Sequence, residues 1–470
     1  MTLPNGWAYA KVGDVLEVNY GKGLKESARD AAGHVPVYGS NGIVGQHNTA
    51  LASGPCLIIG RKGAAGAVHL SRTDCWPIDT TYWTRPPAEL SLEYAYYVLR
   101  TLNLSSLDRS TAIPGLNRDD LYSQVIPIAP LPEQHRIVAE IEKQFTRLDA
   151  GVTALKRAQA NLKRYKAAVL KAACEGKLAR SAQDPNDEPA SKLLERILAE
   201  RRAKWEQDLR TKGNDPSKAK YVDPAPLDTE GLPELPEGWC WAAVEQVAEH
   251  RLGKMLDKEK NKGVLRPYLR NLNVRWFEFD LSDVQYMRVM NYELESISVH
   301  AGDLVVCEGG EPGRAAVWNA SEPFVIQKAL HRVRLKSGLS PKYLSYNLAV
   351  DASNGNLERY FTGSTIKHFT GQSLRSYVFA LPPLAEQRRI VAEVERRLSV
   401  VQEVEGVIAA NLARAERLRQ SILKQAFEGK LVPQDPNDEP VSVLLERIQA
   451  EREASGHTPI KRNQHQYERK

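Results

Sequence analysis

The chain writes one pattern twice, and a chain that repeats itself folds as related units that share a plan. Leu131–Glu142 (LPEQHRIVAEIE) matches Leu384–Glu395 (LAEQRRIVAEVE) at nine of twelve positions, offset by 253 residues. Leu170–Leu178 (LKAACEGKL) matches Leu423–Leu431 (LKQAFEGKL) at seven of nine, again offset by 253. Asp184–Ile197 matches Asp435–Ile448 at twelve of fourteen, offset by 251. A weaker match joins Leu3-Pro-Asn-Gly-Trp7 to Leu235-Pro-Glu-Gly-Trp239, offset by 232. The offsets divide the repeat into two kinds of segment. Between the Trp and the EQ-R-IVAE block the second copy is longer by 21 residues, whereas from that block to EGKL the spacing is unchanged. Loop-rich surfaces absorb insertions; a helix in register with a partner does not.

The fixed-length segment reads as a long helix. From Glu133 to Cys174 there is no proline and one glycine, Gly151. Ile141, Phe145, Leu148, Val152, Leu155, Leu162 and Val169 fall at alternating steps of four and three, with Gln159 and Lys166 filling the seam. The second copy repeats the seam through Val394, Leu398, Val401, Glu405, Ile408, Leu412, Ala415, Arg419 and Ile422. A 3.5-residue period sustained over about four heptads marks a coiled coil. Each helix would span about 63 Å. Pro130, Pro132, Pro382 and Pro383 suit helix entry, and Gly176 and Gly429 suit a left-handed C-terminal cap. Water penalises each apolar seam, and the nearest matching seam is the other copy, so the two helices are expected to pair antiparallel within the chain.

The expected fold class is α+β: two mixed α/β domains separated by two long helices that form an antiparallel coiled coil. The first variable domain is placed at 1–131 and its long helix at 132–178. A short helix and linker follow at 179–231. The second copy runs as 232–383, 384–431, and a short helix with a polar tail at 432–470. Cys56–Gly60, Gln124–Ile128, Asp303–Cys307 and Ala315–Trp318 read as strands bounded by Gly, Pro and Asp. Leu92–Leu102 and Pro341–Leu348 read as short helices. Leu193, Leu194, Ile197 and Leu198, with Leu444, Leu445 and Ile448 in the copy, form a stripe that packs on this chain or docks a partner helix.

Several chemistries are missing. There is no G-x-x-x-x-G-K-[ST] loop and no G-x-G-x-x-G after a strand. Neither Pro-Pro pair follows Asn or Asp, so the Asn/Asp-Pro-Pro-aromatic loop that holds a flipped base in amino-methyltransferases is absent. Glu175-Gly-Lys177 and Glu428-Gly-Lys430 fit half of a nuclease metal site, but no Pro-Asp dipeptide exists and both sit at helix ends. The five cysteines are scattered without a C-x-x-C pair, and no apolar run approaches the ~20 residues of a membrane helix. A reduced, cytoplasmic setting is expected, with no catalytic, cofactor-binding or metal-ligating residue in this chain.

What remains suits reading DNA. Asn pairs bidentately with adenine and Arg with guanine, while Lys mostly meets phosphate. Tyr38, Ser40 and Asn41 lie in a glycine-flanked loop, and Arg61 and Lys62 follow an apolar strand. Thr111, Asn117 and Arg118 end the first domain. In the second, Arg270, Asn271, Asn273 and Arg275 are read as a strand with its polar groups on one face or its edges. Glu308 and Arg314 bound a glycine loop, and Lys367 and His368 parallel the Ser110–Gly115 segment. Charge demands that any DNA face be local. The chain carries a formal +6, yet residues 1–131 are net zero and residues 232–383 net +1.

The doubled PL-x-EQ-R-I-V-A-E and L-K-x-A-x-E-G-K-L blocks, the Tyr-Gly-Ser-Asn-Gly loop and Gly-Asp-Leu-Val-Val-Cys-Glu-Gly-Gly resemble the specificity subunits of type I restriction–modification systems, over nearly the whole chain. The resemblance implies two target-recognition domains, each reading half of a bipartite double-stranded DNA target. It implies that the helices act as a spacer and bind two modification (methyltransferase) subunits, with Glu133, Gln134, Arg136, Ile137, Glu386, Gln387, Arg389 and Ile390 placed in the coil and partner contact. S-adenosylmethionine would come with those subunits, and ATP and Mg with a restriction subunit. The unlike variable domains predict an asymmetric target. The alternative is a non-enzymatic scaffold whose two α/β domains bind protein.

Overall fold

The computed structural model describes residues 3–107, 115–178, 187–257 and 259–454. Two compact units emerge: one takes in residues up to Lys156 and from Ala409 on, the other runs from Arg157 to Ile408. Each contains one variable domain, half of each long helix and one short helix. Thr111, part of the linker turn before Asp187 and the polar tail lie outside the described residues.

In the first unit a four-stranded sheet has the order β2 (Asn19–Tyr20), β8 (Thr81–Thr84), β5 (Cys56–Gly60), β6 (Val68–Ser71). A three-stranded sheet has the order β4 (Gly42–His47), β3 (Val35–Gly39), β7 (Trp76–Pro77). β1 (Ala8–Lys11) pairs antiparallel with β9 (Val125–Ile128). The second unit follows the same plan. Its sheets are β11 (Ala248–Leu252), β18 (Leu330–Leu335), β15 (Leu304–Cys307), β16 (Ala315–Val317), and β13 (Gln285–Val289), β12 (Val264–Leu269), β17 (Phe324–Ile326), β14 (Ser298–Val299). β10 (Cys240–Ala243) pairs with β19 (Val378–Leu381). Both β5 and β15 are buried at every residue, as continuous apolar runs require. The segment Arg270–Arg275 is not a strand. Asn271–Asn273 is a single 3-10 turn, because the Asn273 amide side chain folds back to accept from the Arg270 N–H at 2.9 Å.

The short helices α1 (Leu92–Thr101) and α4 (Pro341–Asn354) precede the long ones. The long helices are α2 (Leu131–Cys174) and α5 (Leu384–Phe427), 44 residues each and about 66 Å in length. They pack antiparallel within each unit. In the first, the start of α2 meets the end of α5: Arg419 pairs with Asp149, its guanidinium 4.6 Å from the Phe145 ring centroid. In the second, Val169, Leu170 and Ala173 share a core with Ile390 and Val394. Gly176 and Gly429 end the helices at φ of 66° and 67°. A Cβ on Gly176 would lie 2.6 Å from Pro236, and one on Gly429 2.2 Å from Pro4, so each helix end is shaped to fit an LP-x-GW segment. Lys177 and Lys430 pair with Glu175 and Glu428 at 2.7 Å, as surface ion pairs at a helix end.

The EQ-R-I block opens each long helix and forms a junction within the chain. The Trp7 indole donates to Glu133 at 2.9 Å, and Trp239 donates to Glu386 at 2.9 Å. Gln134 accepts from the Ser91 N–H at 2.8 Å and donates to Ala129 at 2.8 Å; Gln387 does the same with Ser340 at 3.1 Å and Pro382 at 2.9 Å. Arg136 pairs with Asp438 at 2.7 Å and Arg389 with Asp187 at 3.0 Å. Ile137 and Ile390 are fully buried. Most of these groups are engaged inside the chain, with the Arg136 and Arg389 side chains about a third exposed. The short helices α3 (Ala190–Thr211) and α6 (Val441–Ala454) also face inward, burying Leu193 and Ile197, and Leu444 and Ile448.

Glu133→Ala strands the buried Trp7 N–H without an acceptor, so it should destabilise the first unit by about 1–3 kcal/mol, while Glu133→Gln keeps an acceptor and costs less. Denaturant midpoints of the two variants against the parent check the order.

Candidate nucleic-acid interface

The first domain sets two arginines around one ring. Tyr20, on β2, is half exposed, and the Arg61 and Arg118 guanidiniums lie 5.1 and 5.7 Å from its ring centroid. Arg61 also lies 5.9 Å from the Tyr82 ring and donates to the Asp79 carbonyl at 3.1 Å. An aromatic face holds a guanidinium by cation–π attraction and leaves most of its N–H groups outward. Lys62 is exposed beside Arg61. Asn117 is also exposed, but its side chain caps the short helix Arg118–Tyr122 by accepting from the Asp119 N–H at 3.2 Å.

The β3–β4 hairpin brings its tip to the same turn. Asn41 is exposed at that tip, while a Cβ on Gly60 would lie 3.2 Å from the Ser40 Cβ and one on Gly63 3.5 Å from its Oγ. The structure therefore unites Ser40, Arg61, Lys62 and Arg118, with Asn41 at the neighbouring tip. Tyr38 is corrected to a core residue: it is 8% exposed and its ring packs beside His69. Tyr20 was missing from the sequence reading. Nothing in its local motif distinguishes it, because its role arises from pairing across β2 and β8, where it lies opposite Tyr82.

The second domain builds its face from different chemistry. Glu308 and Gly309 follow β15. Asn271 donates to the Gly309 carbonyl at 2.8 Å, and a Cβ on Gly309 would lie 3.4 Å from the His368 Nδ1. Lys367 and His368 are exposed next to them. Three candidates turn inward. Arg270 donates to the Asp283 carbonyl at 2.6 Å and its carboxylate at 2.8 Å. Asn273 is fully buried and donates to Asp280 and Asp283 carbonyls at 2.9 and 3.0 Å. Arg314 donates to the Asn271 carbonyl at 2.8 Å and to Glu311 at 2.7 Å. All three brace the local fold, although the Nε–H groups of Arg270 and Arg314 are buried without a partner. Arg275 is exposed but sits away from this cluster, against Asp280 at 3.5 Å.

Beneath this face lies a buried pair that sequence patterning does not show. The His331 Nε2–H donates to the Phe369 carbonyl at 2.9 Å, since a carbonyl only accepts. The His331 Nδ1 must then accept from the His250 Nε2–H, 2.8 Å away. Burial pushes both imidazoles down to about 4, helped at His250 by Arg375 and Arg251 and at His331 by His250. The column holds Phe369, whose N–H donates to the Glu308 carbonyl at 2.7 Å.

Residues 4–162 and 236–398 match the family model described as the type I restriction modification DNA specificity domain. The chain belongs to that family. This DNA-specificity subunit is 27% identical over 368 residues to the EcoKI specificity subunit of Escherichia coli (strain K12), covering 75% of this chain and 69% of that protein. It is 23% identical over 470 residues to the EcoDI specificity subunit of Escherichia coli, covering 97% of each. Its fold is similar to a chain solved in work on complex assembly and conformational transition of the type I R-M system. The TM-score is 0.63 at 18% identity, covering 92% of this chain and 100% of that one. Among the described residues of the specificity subunit, no helix is long and apolar enough to cross a membrane.

The histidine pair makes the second unit acid-sensitive. Its folded pKa values lie below the ordinary 6.5, so the unfolded chain takes up protons that the fold refuses. Stability is full above about pH 6.5 and falls toward pH 4. His250→Gln keeps a donor to His331 and removes one titrating group. Denaturant midpoints measured from pH 7 to 4 should fall less steeply in that variant than in the parent.

Proposed function

We propose that each recognition domain reads one half of an asymmetric bipartite double-stranded DNA target and that the long helices set the unread gap between the halves. One observation supports this above the others: a single architecture occurs twice, with unlike side chains on its two candidate reading faces. Two modification subunits dock on the helical part, bringing S-adenosylmethionine and the base-flipping loop that this sequence lacks. A restriction subunit adds ATP- and Mg-dependent cleavage. The subunit itself selects the site, in the cytoplasm, and performs no bond chemistry.

The exposed flanks of α2 and α5 are the surface left for the modification subunits, because the EQ-R-I groups are engaged internally. The seam supports the spacer role: Val394, Val401 and Ile408 are each at most 3% exposed at seven-residue steps. Continuous helices transmit length without changing what lies at either end.

Two measurements test the reading. Methylome sequencing of a host carrying the chain with its modification subunit should give a split motif with unlike halves; a continuous or palindromic motif contradicts it. Adding one heptad to each long helix, near Gln159 and near Glu405, preserves the seam and lengthens each helix by about 10 Å. The unread gap should grow by roughly three base pairs at 3.4 Å each, with both half-site sequences unchanged. Altered half-site letters would refute the spacer role.

A further inference from the structure

The two recognition domains hold one loop in the same backbone frame. In the first, the Gly60 N–H donates to Ala67 at 2.7 Å and the Gly66 N–H to Gly60 at 2.8 Å. The Arg61 N–H donates to Thr80 at 2.8 Å, and the Arg61 carbonyl accepts from Leu116 at 2.8 Å. In the second, the Cys307 N–H donates to Arg314 at 2.8 Å and the Gly313 N–H to Cys307 at 2.9 Å. The Glu308 N–H donates to Ala329 at 2.9 Å, and its carbonyl accepts from Phe369 at 2.7 Å.

The glycines agree as well. Gly63 and Gly66 have φ of 80° and 83°; Gly310 and Gly313 have 76° and 87°. Gly66 packs on Leu104 and Gly313 on Leu357, with no room for a Cβ in either place. The frame therefore aligns Arg61 with Glu308 and Lys62 with Gly309. The segment before it agrees too: Tyr38 accepts from the Ile78 N–H and Leu269 from the Gln327 N–H, each the residue just past the strand paired in parallel, which aligns Ser40 with Asn271.

At one backbone position, then, the first domain carries a guanidinium and the second a carboxylate. Among the described residues the Glu308 carboxylate has no hydrogen-bond or ion-pair partner, so it is free to accept from a ligand. An unpaired acid on a DNA-facing loop repels phosphate and gains only by accepting from a base. In the major groove guanine shows two acceptors and thymine one, which repel it. Adenine offers an amino group beside an acceptor, whereas cytosine offers its N4 amino group alone. Arg61 presents the opposite character and suits the O6/N7 pair of guanine.

We propose that Arg61 and Glu308 are equivalent specificity determinants, Arg61 selecting guanine in the half-site of the first domain and Glu308 selecting cytosine in the half-site of the second. This rests on the split-target reading above, and the test separates the two. The full chain is co-produced with its modification subunit in a host free of other DNA methylation, and methylated bases are mapped by single-molecule sequencing. If the parent yields no split motif, the underlying reading fails.

Given a split motif, Glu308→Gln should move one C·G pair of the second half-site toward A·T, because a glutamine amide pairs with adenine. Glu308→Arg should move it toward G·C, and Arg61→Glu should convert one guanine of the first half-site to cytosine. In each case the preference at that pair should change by about ten- to a hundredfold, with every other letter kept. Unchanged letters overturn the proposal. So does a second half-site without a C·G pair, or a uniform loss of methylation at every site with an unchanged melting temperature.

Discussion

The structure depends on a buried hydrogen bond between a tryptophan and a glutamate, made twice. Taking a carboxylate out of water is costly, and burial holds both Glu133 and Glu386 above the ordinary carboxylate range. The indole N–H opposes that shift, and the Arg beside each Glu opposes it further. The bond joins the first residues of a recognition domain to the first turn of its long helix. The adjacent glutamine ties the same turn to a short helix of the domain. The domain is thereby fixed to its helix by groups that are not among the candidate reading residues.

The repeat, the long helices and their glycine ends were legible because they follow from periodicity and local backbone preference. The central strands were legible for the same reason: CLIIG and LVVC have few alternatives as apolar runs between turn residues. The EQ-R-I block was recognised, but its direction was not. A polar cluster on a helix looks solvent-facing until a tryptophan 126 residues away supplies its partner. Arg270, Asn273 and Arg314 misled for a related reason. Residue type shows that a side chain can reach a base, but not that nearby carbonyls and carboxylates hold it against its own domain. Tyr20 and the His250–His331 column were invisible because each depends on strands pairing across the sheet, and β-sheet register is non-local.

The charge distribution gains a physical reading from these placements. The recognition domains are nearly neutral, so diffuse attraction to phosphate is weak and contact must be concentrated. The first domain concentrates it by stacking two guanidiniums around one tyrosine. The second sets exposed Lys367 and His368 beside the Glu308 acid, a mixed surface. The two candidate faces thus carry different charge patterns although their backbones share a plan.

The glycine-framed loop also bears on how a reading residue can be exchanged. Its shape is held by main-chain hydrogen bonds and by glycines packed on leucines, none of which involves the outward side chain. On the proposed reading, a change at that position alters what is read while the main-chain frame stays in place; at Arg61 it also gives up the Asp79 hydrogen bond and the Tyr20 stack. If Arg61 and Glu308 read bases as proposed, one frame lets a single substitution exchange a cationic reader for an acidic one without rebuilding the loop.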